Sequence, residues 1–466
     1  MKRLPLAPLL PLLGTTALAL CLGFVVIADE SGKPESAPAA AGAAVAAAVA
    51  VDRGQAFVGA HVIPITGDPI DNGVLLVKDG KIVAVGTADD VAVPADFEKI
   101  DAAGKVIMPG LICTHSHVGQ VSGGDSSSPI QPEVRVIDSI NVRDSSFERA
   151  RAGGLTTLNI MPGSGHLLSG QTLYVKTRDG GSIEDLAIRN EDGSVAGGIK
   201  MANGTNSIRK APFPGTRGKS VALVREQFVK AQAYKAKLKK AKEAPDKAPE
   251  RDLAMEALVE VLDGKRVVHH HTHRHDDILT VLRLKEEFGF RLVLHHVSEA
   301  WKVADEIAKA NVPCSLILLD SPGGKLEAVD IAWKNGAELE KVGVITSFHT
   351  DDPINDSRWF LRSAAFAVRA GMSRGAALYG MTMAGAKMLD IEQRTGSLAA
   401  GKDADFVILS GDPLSVYTRV EQTWVEGRKV FDLSDPEDAI YANGGLGAGT
   451  ARITNMCCFD VPTLRR

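Results

Sequence analysis

The stretch GLICTHSHVGQ, residues 110–120, closes an apolar run with two histidines two positions apart, His115 and His117. In an extended strand, positions i and i+2 face the same side, so both imidazoles point one way. That arrangement suits two ligands on one cation. A chain with 12 histidines can carry such a pair by chance, so the reading depends on partners elsewhere.

Working outward from this run, apolar strand-like segments alternate with helical patterns, as in parallel βα units. Candidate strands are LICTHSH (111–117), TTLNIMPG (156–163), TLYVKT (172–177), GGIKMANG (197–204), RVVHHHTH (266–273), RLVLHHV (291–297), PCSLILL (313–319) and GVITSFHTDD (343–352). Eight such units close a TIM barrel. DDILTVLRLKEEFG (276–289) and EAWKVADEIAKA (299–310) carry amphipathic helical spacing between them. The charged stretch 220–264 reads as a helical excursion with a solvated face.

Before this middle part, residues 56–110 turn to short apolar runs punctuated by Asn-Gly and Asp-Gly, the composition of hairpins. A similar texture returns at 396–431. The expected architecture is therefore α/β: a (β/α)8 barrel over 109–394 and a small β-sandwich domain built from both ends, 53–108 and 395–435, followed by a C-terminal tail, 436–466.

Residues 1–28 have a basic start, a long apolar run and a small residue, Ala28, before the first acids, as in a signal peptide or a membrane anchor. Residues 29–52 are Ala/Pro-rich and read as a linker. Either reading of the N-terminus implies export, periplasmic or extracellular, with membrane anchoring by this segment as one form of it.

The 466 residues are 45% hydrophobic and 24% charged, the balance of a globular protein. A net charge of −4 gives no basic face for a polyanion, so nucleic acid is excluded as the expected partner. The partner expected is a small-molecule substrate, and a homo-oligomer is compatible with the chain. The five cysteines form no regular framework. Cys113 and Cys314 sit in apolar runs and read as buried small hydrophobes.

The histidines sort by position. His269, His270, His271, His273 and His275 fall at the end of one candidate strand, His295 and His296 at the end of another, and Asp351 at the end of the eighth. In a closed barrel these carboxyl ends converge on one face, where such folds place their sites. By alternation His269 and His273 share a face with His271, whereas His270 and His295 should face the helical layer. His349 shares a face with Asp351 and is placed to orient it. His61 lies in the β appendage.

This constellation resembles the amidohydrolase superfamily, most closely its imidazolonepropionase-like and prolidase-like branch. VIMPGLICTHSH is similar to the family's first-strand motif, with Cys113 where Asp is usual. ARAGGLTTLNIMPGSG resembles its second unit, and GSLAAGKDADFVILSGDPL its return into the β domain. The resemblance implies metal ligation by His115, His117, His271, His296 and Asp351. Lys200 is then the candidate for a carboxylated lysine if two cations are bound, and a plain lysine beside one cation otherwise. Zinc is the implied metal, one or two ions, with manganese, iron or cobalt as substitutes. The implied chemistry is hydrolysis of an amide or cyclic amide C–N bond, non-peptide or dipeptide, by a metal-bound hydroxide with Asp351 as general base and then acid.

Substrate contacts are expected from His166 and Gln171, which follow the second strand, and from His273. A mononuclear deaminase of the same superfamily is the alternative. Its usual Glu shortly after the strand-five histidine is absent from HTHRHDD (271–277), which favours amide hydrolysis. A catalytically inactive metal-binding relative is the reading from another class, and such relatives lose ligands that this chain keeps.

Overall fold

The computed structural model describes residues 54–119, 125–318, 325–444 and 448. The N-terminal readings over 1–28 and 29–52 lie outside the described residues. No helix among the described residues is long and apolar enough to cross a membrane.

The chain opens with β1 (Gln55–Val62), β2 (Ile70–Lys78), β3 (Lys81–Thr87), β4 (Glu98–Asp101) and β5 (Val106–Pro109). The β2–β3 hairpin turns on Asp79 and Gly80, at φ 52° and 74°. Positive φ at both central residues matches the right-handed twist of the strands, which is why Asp-Gly serves there. β1 changes partner midway: residues 55–58 pair with β4 and residues 61–62 with β5. Gly59, at φ 85°, occupies the break.

The middle part carries β6 (Leu111–Ser116), β7 (Leu155–Ile160), β8 (Leu168–Gln171), β9 (Leu173–Lys176), β10 (Ile199–Ala202), β11 (Val268–Thr272), β12 (Leu292–His296), β13 (Cys314–Leu316) and β14 (Thr346–Phe348). All eight expected strand positions are occupied. β6 and β7 are parallel, as are β10 through β14 in sequence order. The third position departs from the expectation of parallel strands: β9 runs antiparallel to β7, and β8 antiparallel to β10. With only Thr172 between them, β8 and β9 form one extended segment joining the two parallel groups. The cause is connection length. Only residues 161–167 separate β7 from β8, and a parallel return needs a crossover of about a dozen residues or more.

The far strands of the two groups, β14 and β6, meet through the Asp351 N–H just after β14, which donates to the His115 carbonyl at 3.0 Å, and through Thr114 Oγ1, 3.3 Å from the Phe348 carbonyl; Thr114 Oγ1 also reaches Ser315 Oγ on β13 at 2.6 Å. Strands β6, β7 and β10–β14 are buried along their whole length. That is why they read as near-continuous apolar runs. The charged stretch folds as helices Arg217–Ala241 and Leu253–Leu262. The first buries Val224, Phe228 and Ala231 at helical spacing, with Phe228 stacked on Phe288 and Phe290 at 5.0 and 5.2 Å.

The chain then supplies β15 (Phe406–Leu409), β16 (Val420–Val425) and β17 (Arg428–Asp432), which complete an eight-stranded sheet ordered β17-β16-β15-β5-β1-β2-β3, with β4 on β1. Its core centres on Phe57, whose ring meets Phe406 at 4.9 Å and Trp424 at 5.1 Å, both edge-on. Edge-to-face pairs add to the gain from burial alone. Part of the expected C-terminal tail is ordered as helix Pro436–Asn443, capped by Asp435.

An ion cluster ties this sheet to the middle part. Lys176 at the end of β9 is fully buried and its ammonium lies 3.0 Å from Asp403 and in contact with Asp405. Asp403 also takes Lys81 at 2.6 Å, and Asp405 accepts from Thr395 Oγ1 and the Glu426 N–H. The carboxylates of the GKDADF stretch therefore neutralise a buried cation.

Candidate metal centre

His115 lies on β6 and His117 just beyond it. His117 Nδ1 donates to the Met161 carbonyl at 2.7 Å, since the carbonyl can only accept. That bond fixes the tautomer and leaves Nε2 free as a ligand, the usual orientation device for metal-binding histidine. Nε2 points at Asp351 Oδ1, 3.0 Å away, and His115 Nε2 reaches the same oxygen at 3.2 Å. Asp351 follows β14 at φ 51°. A left-handed non-glycine residue is sparsely populated and persists only where its surroundings hold it; here its N–H is held by the His115 carbonyl.

From the opposite wall come Lys200 on β10, His271 on β11 and His296 on β12. Lys200 Nζ lies 3.1 Å from both His115 Nε2 and Met161 Sδ and is fully buried. The His271 and His296 rings are 4.3 Å apart, and His296 meets His115 at 4.9 Å. The five ligands that the resemblance implied, and Lys200, its conditional candidate, therefore gather at one place.

The face expected for β12 is corrected. His295 was expected to face the helices, yet its ring lies 5.2 Å from His115 and its Nε2 2.9 Å from His269 Nδ1. The register explains it: His295 lies opposite His271 in the β11·β12 ladder and shares its inward face, whereas His296, at φ 70° and followed by Val297 at 40°, leaves the alternation and turns inward as well. His349 stacks on His115 at 4.9 Å, anchored by Ser315 Oγ at 2.7 Å, and its Nε2 lies 3.2 Å from His296 Nδ1. His269 sits deeper, bonded to the Tyr174 hydroxyl at 2.8 Å. His273 is fixed through Nδ1 to Ser298 Oγ at 2.7 Å.

Other expected residues lie elsewhere. Gln171, opposite Ile199 in the β8·β10 ladder, bonds to the Pro132 carbonyl and lines a separate cavity of about 500 Å³ with Asn190 and Arg266. The antiparallel course of β8 carries it away from the end of β10 that holds the site. His166 bonds the Asp125 carbonyl at 2.6 Å and packs on Phe213. His270 lines a cavity of about 570 Å³ between helices Arg217–Ala241 and His275–Phe288. His61 pairs with Asp71 at the sheet surface.

Sequence reasoning missed Asn206, whose Nδ2 lies 3.2 Å from His271 Nε2, and the work of Cys113. Its thiol accepts from the Thr350 N–H at 3.3 Å and donates to the His115 carbonyl at 3.1 Å, joining β6 to the segment that carries Asp351. Burial pushes that thiol up to about 11.

Electrostatics suit a cation. Burial is the largest cause pushing His115, His271, His295 and His296 well below the ordinary imidazole value; it takes His269 and His349 to about 3 and His273 to about 4. These rings are neutral near pH 7 and each keeps a lone pair. Burial also takes the Lys200 ammonium down to about 7, against the attraction of Asp351. Burial raises the Asp351 carboxyl, but the imidazoles around it, His117 foremost and then His296 and His349, overcome that and hold it well below the usual range.

Among the described residues, six buried histidine nitrogens have no hydrogen-bond partner; His166 Nδ1 lies apart, and five belong to this cluster: His115 Nδ1, His271 Nδ1, His273 Nε2, His295 Nδ1 and His296 Nε2. Buried polar atoms are normally satisfied, so a cluster of histidines with unpartnered nitrogens fits a divalent cation. Among the described residues, three trios can each bring one donor atom per residue within 4.8 Å of the others: His115/His296/Asp351, His271/His273/His296 and His115/His295/His349.

The family model of the amidohydrolases matches residues 251–431. A crystal structure of an amidohydrolase from Thermotoga maritima MSB8 superposes with a TM-score of 0.76 at 34% identity, covering 81% of this chain and 99% of that one. Amidohydrolase tasK of Hapsidospora irregularis is 27% identical over 394 residues, 77% of this chain; the chain spans 40% of the length of that curated relative. An imidazolonepropionase of Brucella anthropi is 39% identical over 89 residues, 18% of this chain and 19% of that one.

Proposed function

We propose that this chain, which belongs to the amidohydrolase family, is a metal-dependent hydrolase of an amide or cyclic amide C–N bond. The observation that carries the reading is the meeting of Asp351 with His115 and His117 at 3.2 and 3.0 Å, facing His271, His296 and Lys200, among buried imidazole nitrogens without partners. The strand order supports a ring of eight in which seven strands are parallel and the β8–β9 segment is reversed, a variant of the (β/α)8 barrel.

His115, His117 and Asp351 would hold one cation, and His271 and His296 a second. Imidazole and carboxylate donors favour zinc, which supplies water ionised near neutral pH and polarises a carbonyl. Asp351, held anionic, takes the proton of the attacking water and returns it to the leaving nitrogen as the C–O bond forms and the C–N bond breaks. The His117–Met161 bond keeps the imidazole aimed at that carboxylate. Lys200, neutral above pH about 7, has the free amine that carbamate formation with CO2 would need.

The test is turnover of the zinc- or manganese-loaded protein on N-acyl amino acids, proline dipeptides and cyclic amides, with product amine and carboxylate quantified. Amide cleavage that is lost in Asp351→Asn supports the reading. Ammonia release from a ring amidine without amide cleavage would move the assignment to a deaminase.

A further inference from the structure

We propose that His273 is a third imidazole ligand, so that the second cation is held by His271, His273 and His296 without needing a carboxylated Lys200. This rests on the metal-dependent reading above and replaces the substrate contact that the sequence suggested for His273.

The geometry is that of a preformed trio. His271 and His273 occupy i and i+2 at the end of β11, so their rings share a side, 4.7 Å apart and edge-on. His296 closes the triangle, 4.3 Å from His271 and 5.0 Å from His273. The three are 1, 6 and 2% exposed. One ring nitrogen from each can lie within 4.8 Å of the other two, and each residue has a buried nitrogen with no hydrogen-bond partner.

Their other nitrogens are already engaged. Ser298 Oγ meets His273 Nδ1 at 2.7 Å and His349 Nε2 meets His296 Nδ1 at 3.2 Å. The Asn206 amide lies 3.2 Å from His271 Nε2. Turned over, its oxygen accepts from that N–H and leaves Nδ1 with the lone pair. Such contacts on the far nitrogen orient metal-binding imidazoles.

Three imidazoles are a complete protein donor set for a catalytic zinc ion. Lys200 is not needed to complete it, because its amine is turned toward His115 and Met161. A carbamate on Lys200 would add a donor to the site rather than create the second position.

The experiment is a cobalt(II) titration of the metal-free full chain, in CO2-free buffer and with bicarbonate. Bound metal is read by elemental analysis and by visible absorption, independently of turnover. The expected result is two ions per chain in both buffers, still two in Lys200→Met, and one in His273→Asn. Ser298→Ala, which leaves the ligand in place, should weaken the second ion about 10–100-fold and covers the case in which His273→Asn fails to fold.

Two ions in His273→Asn with an unchanged spectrum would overturn the assignment. So would a second ion that needs bicarbonate and is lost in Lys200→Met. A wild-type chain that binds no ion at all would sink the metal-dependent reading itself, a different outcome from either.

Discussion

At the scale of single residues, the site depends on a few side chains whose charge state is set by burial. Asp351→Asn keeps the shape but cannot take the proton of the attacking water. Turnover should fall about 10²–10⁴-fold with an unchanged circular dichroism spectrum, measured by steady-state kinetics. Lys200 should differ from surface lysines in its reaction with cyanate, because the neutral amine is the reactive form. In the metal-free protein its labelling rate should rise with pH up to about 7 and level off there, while exposed lysines continue to gain toward their ordinary range near 10.4. Peptide mass spectrometry over a pH series reads both. Most of these residues were legible because histidines and Asp351 cluster at strand ends and the family resemblance implied which of them are ligands. His295 was not, since its face follows from a register opposite His271, and His296 joins it only through a positive φ that its residue type does not advertise.

At the scale of elements, the existence of all eight inner strands was readable from apolar runs bounded by Gly and Pro, but the direction of the third was not. Direction depends on how much chain is available to return, and the helix-free connection 161–167 forces a reversal. The same reversal explains why Gln171 missed the site. Thr172, the hinge of the β8–β9 segment, donates its N–H to the Gly198 carbonyl at 3.0 Å and accepts from the Gly198 N–H at 2.9 Å through Oγ1. Thr172→Ala should cost about 1 kcal/mol and Thr172→Pro about 1–3 kcal/mol, because the proline also leaves a buried carbonyl without its donor. Urea unfolding midpoints of the two variants give the comparison. The Asp-Gly hairpin was legible for the opposite reason: its backbone requirement is written in residue type.

At the scale of the whole molecule, the return of β texture near the C-terminus was readable as composition, whereas its physical attachment was not. Lys176 and the carboxylates of Asp403 and Asp405 are 227 and 229 positions apart in sequence. Nothing in either stretch names the other. Removing the cation as Lys176→Met leaves two buried carboxylates facing each other, and should destabilise the protein by about 3–5 kcal/mol in thermal or chemical denaturation. Burial raises the Asp403 carboxyl, yet Lys176 and Lys81 bring it from 3.8 down to about 2. The folded state thus binds this proton less readily than the unfolded chain does. The stabilisation is in place above pH 3.8 and drains away as pH falls toward 2. Melting temperatures across that window should drop for the wild type and vary less for Asp403→Asn.

The seam between β5 and β15 also sets a timetable for biosynthesis. β5 leaves the ribosome with one edge bare, and its partner Phe406–Leu409 follows only after the entire middle of the chain. A nascent chain halted anywhere in between carries an open row of amides and carbonyls, the template on which foreign strands add. Premature stops before Phe406 should therefore yield aggregates rather than a shortened soluble protein.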